Sequence, residues 1–224
     1  MSSSSDAIAY HESLAAGWSD RYAAGGFKRR AAFFASDVLP RLRPSGDWLD
    51  VGCGSGVFSR MLAEVGASVL GLDGSPAMVE AARSASAGVD ARYEVRKVEE
   101  VGALEGVFHG AICLSVIEYL PDPEAALRAI AAKLKPGGRA AFSVPNRGST
   151  LRLAQRALRP LARSKALDYM DSSRHLWRRG ELAALAQAAD FEVEAILGFD
   201  PVAPRPLWPL LSPSLWFVVA RKQG

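Results

Sequence analysis

Asp47-Trp48-Leu49-Asp50-Val51-Gly52-Cys53-Gly54-Ser55-Gly56 joins an apolar, strand-like run to three glycines at alternate positions, and a helical pattern opens directly behind them. Glycines in this setting let a ligand approach the backbone at the N-terminus of the following helix, where N–H groups lack intrahelical partners. The stretch reads as a nucleotide-type binding loop. A dinucleotide fingerprint GxGxxG would need glycine at position 57; Val57 stands there and the third glycine comes one residue early.

Around this loop, short β-rich runs alternate with Ala-rich helical stretches, the pattern of strands joined by crossover helices in a parallel sheet. Asp47 to Val51 is strand one, followed by a helix from about Gly56 to Val65. Ser68 to Leu72 is strand two, with its helix at Pro76 to Ser86; Pro76 takes an early helical position that needs no N–H. Arg92 to Arg96, Val107 to Leu114 and Arg139 to Val144 are strands three to five, with a helix at Pro123 to Leu134 and a turn at Gly137-Gly138. A helix at Glu181 to Ala189 and strands at Phe191 to Leu197 and Leu215 to Arg221 complete an α/β, seven-stranded, mostly parallel sheet. Upstream, Asp6 to Ala24 and Lys28 to Leu42 read as two helices separated by Gly25-Gly26. Arg147 to Lys165 interrupts the sheet with basic residues and no acid, and Asp200 to Pro213, with five prolines, reads as a loop over a surface or a pocket.

The 224 residues favour one compact domain with appendages, at about 150 residues per domain. Apolar residues at 49% and charged residues at 23% exclude wholesale disorder. A net charge of +3 is too balanced to mark a nucleic-acid binder. Cys53 and Cys113 form neither a CxxC nor a metal-ligand spacing, which fits a reducing cytoplasm. Neither a signal peptide nor a membrane span is expected: the Ser-rich start lacks a basic and apolar sequence of regions, and Pro209 and Pro213 break the apolar stretch at Leu207 to Ala220.

Asp73 ends strand two in Gly71-Leu72-Asp73-Gly74-Ser75-Pro76-Ala77-Met78, and a carboxylate there can accept bonds from both hydroxyls of a ribose. Lys97-Val98-Glu99-Glu100 follows strand three; Cys113-Leu114-Ser115-Val116-Ile117-Glu118-Tyr119-Leu120-Pro121-Asp122-Pro123 follows strand four; Leu134-Lys135-Pro136-Gly137-Gly138 comes next. Together with the acid Asp50 before GxGxG, these motifs resemble the class I S-adenosylmethionine-dependent methyltransferases over most of the chain. The resemblance implies a Rossmann-like fold, S-adenosylmethionine as cofactor, and a pocket formed by Asp50, Gly52, Cys53, Gly54, Asp73 and Gly74. It also implies that Met78 packs near the adenine, Val98 and Glu99 hold the adenine edge, and Leu114 contributes to the pocket. Met78 as plain core and Glu99 as solvated charge are the alternatives. The expected division is a helical cap at 1–45, the cofactor-binding core at 46–145, an inserted helical lid at 146–180 and the C-terminal helix and strands at 181–224.

Within the family the nearest likeness is to ubiquinone-biosynthesis O-methyltransferases and their small-molecule relatives, in Leu49 to Gly56, Val69 to Asp73, Glu118 to Pro123 and Pro145-Asn146-Arg147. Those enzymes carry an acid and a Glu-His pair after strand four, where a divalent metal binds. Ser115 and Tyr119 replace the acid and the histidine here, so no catalytic metal is expected and the substrate should differ. Arg30, or Arg29 in another register, falls near the arginine that pairs with the cofactor carboxylate, and Tyr22 could join it; a solvated helix face is the alternative. The acceptor is expected to be a small molecule, anionic or apolar, methylated at oxygen in preference to nitrogen, with no nucleic acid as partner. A hydroxyl nucleophile benefits from a general base; His175 is the candidate, against a structural histidine, with His109 and His11 elsewhere.

Arg152, Arg156, Arg159 and Arg163 recur at helical spacing, with Leu151, Leu158, Leu161 and Ala162 available for another face. A membrane-surface helix, a site for an anionic or lipid-linked substrate, and a solvated face all remain open. Trp208 and Trp216 could wall an apolar substrate or pack on the sheet. The rival functions are an NAD(P)-dependent oxidoreductase, disfavoured by Val57 and the lack of a Tyr-x-x-x-Lys pair, and a non-catalytic cofactor-binding partner subunit.

Overall fold

The computed structural model describes Tyr22 and residues 24–153 and 173–224. Seven strands form one sheet: β1 (Gly46–Val51), β2 (Ala67–Asp73), β3 (Ala91–Val95), β4 (Phe108–Leu114), β5 (Leu134–Pro145), β6 (Phe191–Phe199) and β7 (Leu215–Lys222). Their order is β3-β2-β1-β4-β5-β7-β6, with β1 to β5 parallel and β7 antiparallel to both neighbours. The order reverses between β1 and β4, so the crevice beyond the carboxyl ends of these two strands is the natural binding place of an open α/β sheet.

Side-chain alternation along the central strands dictates two buried faces. Leu49 and Val51 of β1 pack with α5 (Pro123–Ala132) and α6 (Leu182–Gln187), through Leu127, Ile130, Leu182 and Ala186. Trp48, two residues before Asp50, lies on the other face with α1 (Gly25–Phe33), α2 (Leu39–Leu42) and α3 (Val57–Glu64), among Phe33, Leu42, Phe58 and Leu62. α4 (Pro76–Ala85) packs Val79 and Ala82 against Tyr93 of β3. The same alternation sends Asp50 and Ser143 to the α1–α3 face.

Most boundaries agree with the sequence pattern to within a residue or two, and two do not. α1 starts at Gly25, three residues ahead of the predicted Lys28 and directly behind an extended Ala24, and continues through a π-helical turn, Phe34–Val38, into α2. A Cβ on Gly26 would come within 2.9 Å of the Pro201 side chain, so glycine serves here to let the proline-rich segment lie on α1. The Gly137-Gly138 pair is not a turn ahead of β5 but a bulge inside it. Leu134 pairs with Phe108 and Arg139 with Gly110, so two steps of β4 are matched by five of β5. The predicted Asp6 to Ala24 helix lies outside the described residues except for Tyr22 and Ala24.

The proline-rich segment contains a 3-10 helix, Arg205–Leu210. Asp200, 3% exposed, organises its start by accepting the Val202 and Ala203 amides and the Ser214 hydroxyl. Trp208 packs edge-on against Phe33 and Phe199 and donates to the Ala203 carbonyl, which makes it part of the α1-side packing. No helix among the described residues is long and apolar enough to cross a membrane.

Candidate functional site

The glycine loop turns sharply back onto β2. The amides of Gly52 and Cys53 both donate to the Leu72 carbonyl, at 2.7 and 2.9 Å. Gly52 has φ of 75°, and a Cβ there would fall 2.3 Å from Val116, so the residue must be glycine for conformation and for space. The loop then presents the Gly54 amide to Asp73 Oδ2 at 2.8 Å, while the Ser75 amide donates to Oδ1 at 2.9 Å. Both oxygens of Asp73 are thereby oriented by backbone, one from each loop at the carboxyl edge. Gly74 lies between those two contacts, and Ser75 caps α4 by accepting the Met78 amide.

Asp50 lies beneath the loop, 2% exposed, and accepts the Ser59 hydroxyl of α3 at 2.6 Å. Burial lifts its carboxyl to about 7, opposed by the Ser59 bond and reinforced by the Asp73 charge. Burial also pushes the Cys53 thiol well up, with Asp50 and Asp73 adding to it, so Cys53 is a packing thiol and not a reactive thiolate. Met78 is 1% exposed. Val98 opens the 3-10 helix Val98–Ala103 and is half-buried against the core. Glu99 is exposed; its neighbour Glu100, and not Glu99, has the defined partner, accepting the Lys97 amide.

A second set of polar groups gathers at the ends of β4 and β5. Arg30 of α1, 9% exposed, donates through Nη2 to Ser143 Oγ at 3.0 Å. Its guanidinium lies over Phe58 and Phe217, 5.5 and 5.7 Å from their centroids. Arg29 is exposed, so of the two candidates Arg30 is the one that joins this set of polar groups. Ser143 Oγ is 3.4 Å from Ser115 Oγ; Ser115 follows Leu114, which is buried at the end of β4, and has φ of 58°. Tyr22 packs edge-on against Phe27 and Phe58; burial raises its phenol, with Arg30 opposing and Asp50 adding. Glu118, 3% exposed in the 3-10 turn Ile117–Tyr119, is lifted to about 7 by burial, which its own backbone N–H, Arg30, Arg152 and Ser115 oppose.

Residues 173–177 return to this end of the sheet. The amides of Arg174 and His175 donate to the Glu118 carbonyl, and Asn146 bridges to Trp177. His175 stacks on Trp177, and its Nε2 is 3.0 Å from the Leu120 carbonyl, so Nε2 carries the proton and Nδ1 is the basic nitrogen. His109 is ruled out as a base by position. It sits at the opposite end of β4, with Nδ1 accepting the Asp47 amide and Nε2 at 2.7 Å from Lys135 Nζ. His11 and three of the four spaced arginines, Arg156, Arg159 and Arg163, lie outside the described residues.

Ser59 and Ser143 were not picked out by sequence reasoning. A serine in a helix or at a strand end has no motif of its own; strand alternation from Trp48 to Asp50 and from Ala141 to Ser143 was the available signal.

A family profile described as a methyltransferase domain matches residues 20–196 of the chain. The chain belongs to the class I S-adenosylmethionine-dependent methyltransferases. The ubiquinone biosynthesis O-methyltransferase of Xanthomonas axonopodis pv. citri (strain 306) is 43% identical to this methyltransferase over 114 residues, 49% of this chain and 48% of that one. Its namesake from Bordetella avium (strain 197N) is 35% identical over 160 residues, 68% of this chain and 64% of that one. The methyltransferase therefore spans about half to just under two thirds of the length of these curated relatives. Magnesium protoporphyrin IX methyltransferase from Synechocystis PCC 6803, solved with bound SAH (S-adenosylhomocysteine), superposes with a TM-score of 0.66 at 17% identity, covering 88% of this chain and 84% of that one; this likeness is one of fold. S-adenosylmethionine is the cofactor of this methyltransferase.

Proposed function

We propose that the chain transfers a methyl group from S-adenosylmethionine to a hydroxyl of a small molecule. The observation that carries this reading is the 35% identity over 160 residues to an enzyme named for O-methylation. When bound, the cofactor supplies a methyl carbon made electrophilic by its sulfonium. The residues present fit such a group. Asp73, oriented by the Gly54 and Ser75 amides, takes the ribose hydroxyls; a carboxylate has about four acceptor sites, so two amides orient it without exhausting it. Gly52 and Gly54 bring the backbone close, with Asp50, Cys53 and Gly74 shaping the loop from below and behind. Met78 packs against the adenine, and Val98 with Glu99 lies along its edge. Arg30, whose Nε has no partner among the described residues, receives the cofactor carboxylate, with Tyr22 beside it and Leu114 lining the floor.

In-line transfer needs the nucleophile held collinear with the methyl carbon and sulfur in a dry site, and a base to take its proton. His175 Nδ1 is that base, its ring fixed by Leu120 and Trp177. Residues 46–145 serve as the cofactor core and 181–224 supply the two closing strands of the sheet, in a cytoplasmic enzyme, while the expected cap at 1–45 and lid at 146–180 lie partly outside the described residues.

Thermal unfolding with S-adenosylhomocysteine, and separately with NADH, tests the site. At a hundredfold excess over its dissociation constant a ligand stabilises by about 2.7 kcal/mol. The expected result is a shift with S-adenosylhomocysteine alone. A panel of phenols, hydroxy acids and amines then tests the acceptor class by mass spectrometry; methylation confined to the amines would overturn the hydroxyl assignment.

A further inference from the structure

Glu118 occupies a costly place for a carboxyl group. It is 3% exposed, and its Oε2 has no hydrogen-bond partner among the described residues. An unpartnered buried acceptor has given up its hydration without a replacement, and the loss is larger when the group is charged. Its neighbours nevertheless favour the charged form: the Ser115 hydroxyl hydrogen-bonds the side chain, and the Arg30 and Arg152 guanidiniums attract it. Arg30 is the opposite case at the other end of the same cluster. It is permanently cationic, 9% exposed, and its Nε lacks a partner among the described residues while Nη2 holds Ser143. The hydroxyls of Ser143 and Ser115, 3.4 Å apart, lie between the two. One largely buried cluster thus carries a cationic donor and a carboxyl acceptor, each with an atom that lacks a partner among the described residues, and hydroxyls between them.

We propose that this cluster receives the zwitterionic end of the cofactor, with Arg30 taking the α-carboxylate and Glu118 Oε2 taking the α-ammonium. The inference rests on the cofactor-site reading above and extends it to Glu118, which lies outside the glycine loop. Charge complementarity selects the ligand. A hydroxyl would fill Glu118 and leave Arg30 bare. A free carboxylate or phosphate would fill Arg30 and leave Glu118 bare. An α-amino acid terminus carries both charges on one carbon and fills both, and each charge-assisted bond formed inside a buried site is about twice as strong as a neutral one. Arg30 and Glu118 are thereby paired through the ligand and not with each other.

Calorimetric titration of the full chain with S-adenosylhomocysteine, with its analogue lacking the α-amino group, and with 5′-methylthioadenosine, which lacks both end groups, tests this. Wild type is expected to bind S-adenosylhomocysteine at least about tenfold tighter than the deaminated analogue, as a hydrogen bond to a charged partner warrants. Glu118→Gln should erase that preference by weakening S-adenosylhomocysteine alone, leaving the analogue and 5′-methylthioadenosine at wild-type affinity, which also reports an intact fold. Arg30→Met should weaken both carboxylate-bearing ligands and spare 5′-methylthioadenosine. Equal wild-type affinity for S-adenosylhomocysteine and the deaminated analogue overturns the proposal without any variant. So does uniform weakening by Glu118→Gln, which marks a structural role, or unchanged binding, which turns Glu118 toward the acceptor. Wild type binding 5′-methylthioadenosine but showing no end-group preference overturns this inference alone; wild type binding none of the three takes the cofactor-site reading with it.

Discussion

Asp73, on the β2 side of the crevice, is oriented by amides 19 and two residues away, whereas Arg30, on the β4–β5 side, reaches a hydroxyl 113 residues away. The β1–β2 side is built from backbone and near neighbours: Gly52 and Cys53 on Leu72, Asp50 on Ser59. The β4–β5 side is built from side chains of α1, β5 and the segment after β4, with the backbone of residues 174–175 bonded to it, brought together only by packing. The first is a loop conformation and the second is an assembly. Each nonetheless buries one carboxyl lifted to about 7, Asp50 on the first side and Glu118 on the second.

That shared feature gives the largest expected effect. In the folded chain these two acids keep protons that the unfolded chain releases near pH 4, so stability falls as pH rises from about 4 to 7 and levels off above it. Urea unfolding at pH 5 and pH 8 should show a shallower loss in Asp50→Asn, a similarly shallower one in Glu118→Gln, and the least in the double variant. A slope relieved by only one of them would break the symmetry between the two sides.

Asp73→Ala should lower S-adenosylhomocysteine affinity at least about a hundredfold, about 2.7 kcal/mol, by removing the ribose acceptor and the group that ties Gly54 to Ser75. Titration calorimetry checks it, and unchanged affinity would remove Asp73 from the site. On the opposite side, His175→Gln should lower turnover about a hundredfold, the scale of general-base loss, with cofactor affinity kept. Full turnover would leave His175 a structural residue that braces Leu120.

Gly52→Ala should destabilise by about 2 kcal/mol, through the φ of 75° and the clash with Val116, and Val116→Ala should recover the steric part in thermal unfolding. The smallest effect is expected at Arg29: being exposed, its replacement by Ala should change stability by less than about 0.5 kcal/mol and leave cofactor affinity intact. A larger loss would reopen the choice between Arg29 and Arg30.

The β1–β2 side was legible in advance because its information is local. Strand, glycine spacing, Asp73 and the proline-started helix are each written in consecutive residues, and the alternation of elements implied the sheet. Glycines were the ambiguous letters. Gly137-Gly138 has the composition of a break yet forms a bulge inside β5, and Gly26 lies within a helix that it opens to the approach of Pro201, because glycine serves close approach as well as turning. Glu99 and Glu100 are equivalent in sequence, and only the direction of the 3-10 turn made Glu100 the cap.

By itself the amino-acid sequence determined the α/β fold and the glycine loop that ends β1, since those depend on backbone conformation and on contacts a few residues apart. The tertiary structure alone decided that Arg30, Ser143, Ser115 and Glu118 form one buried polar cluster, that Arg30 and not Arg29 belongs to it, and that His175 presents Nδ1. Such groups meet only when helix and strand faces have packed, and their charge states follow from burial, which no local spacing encodes.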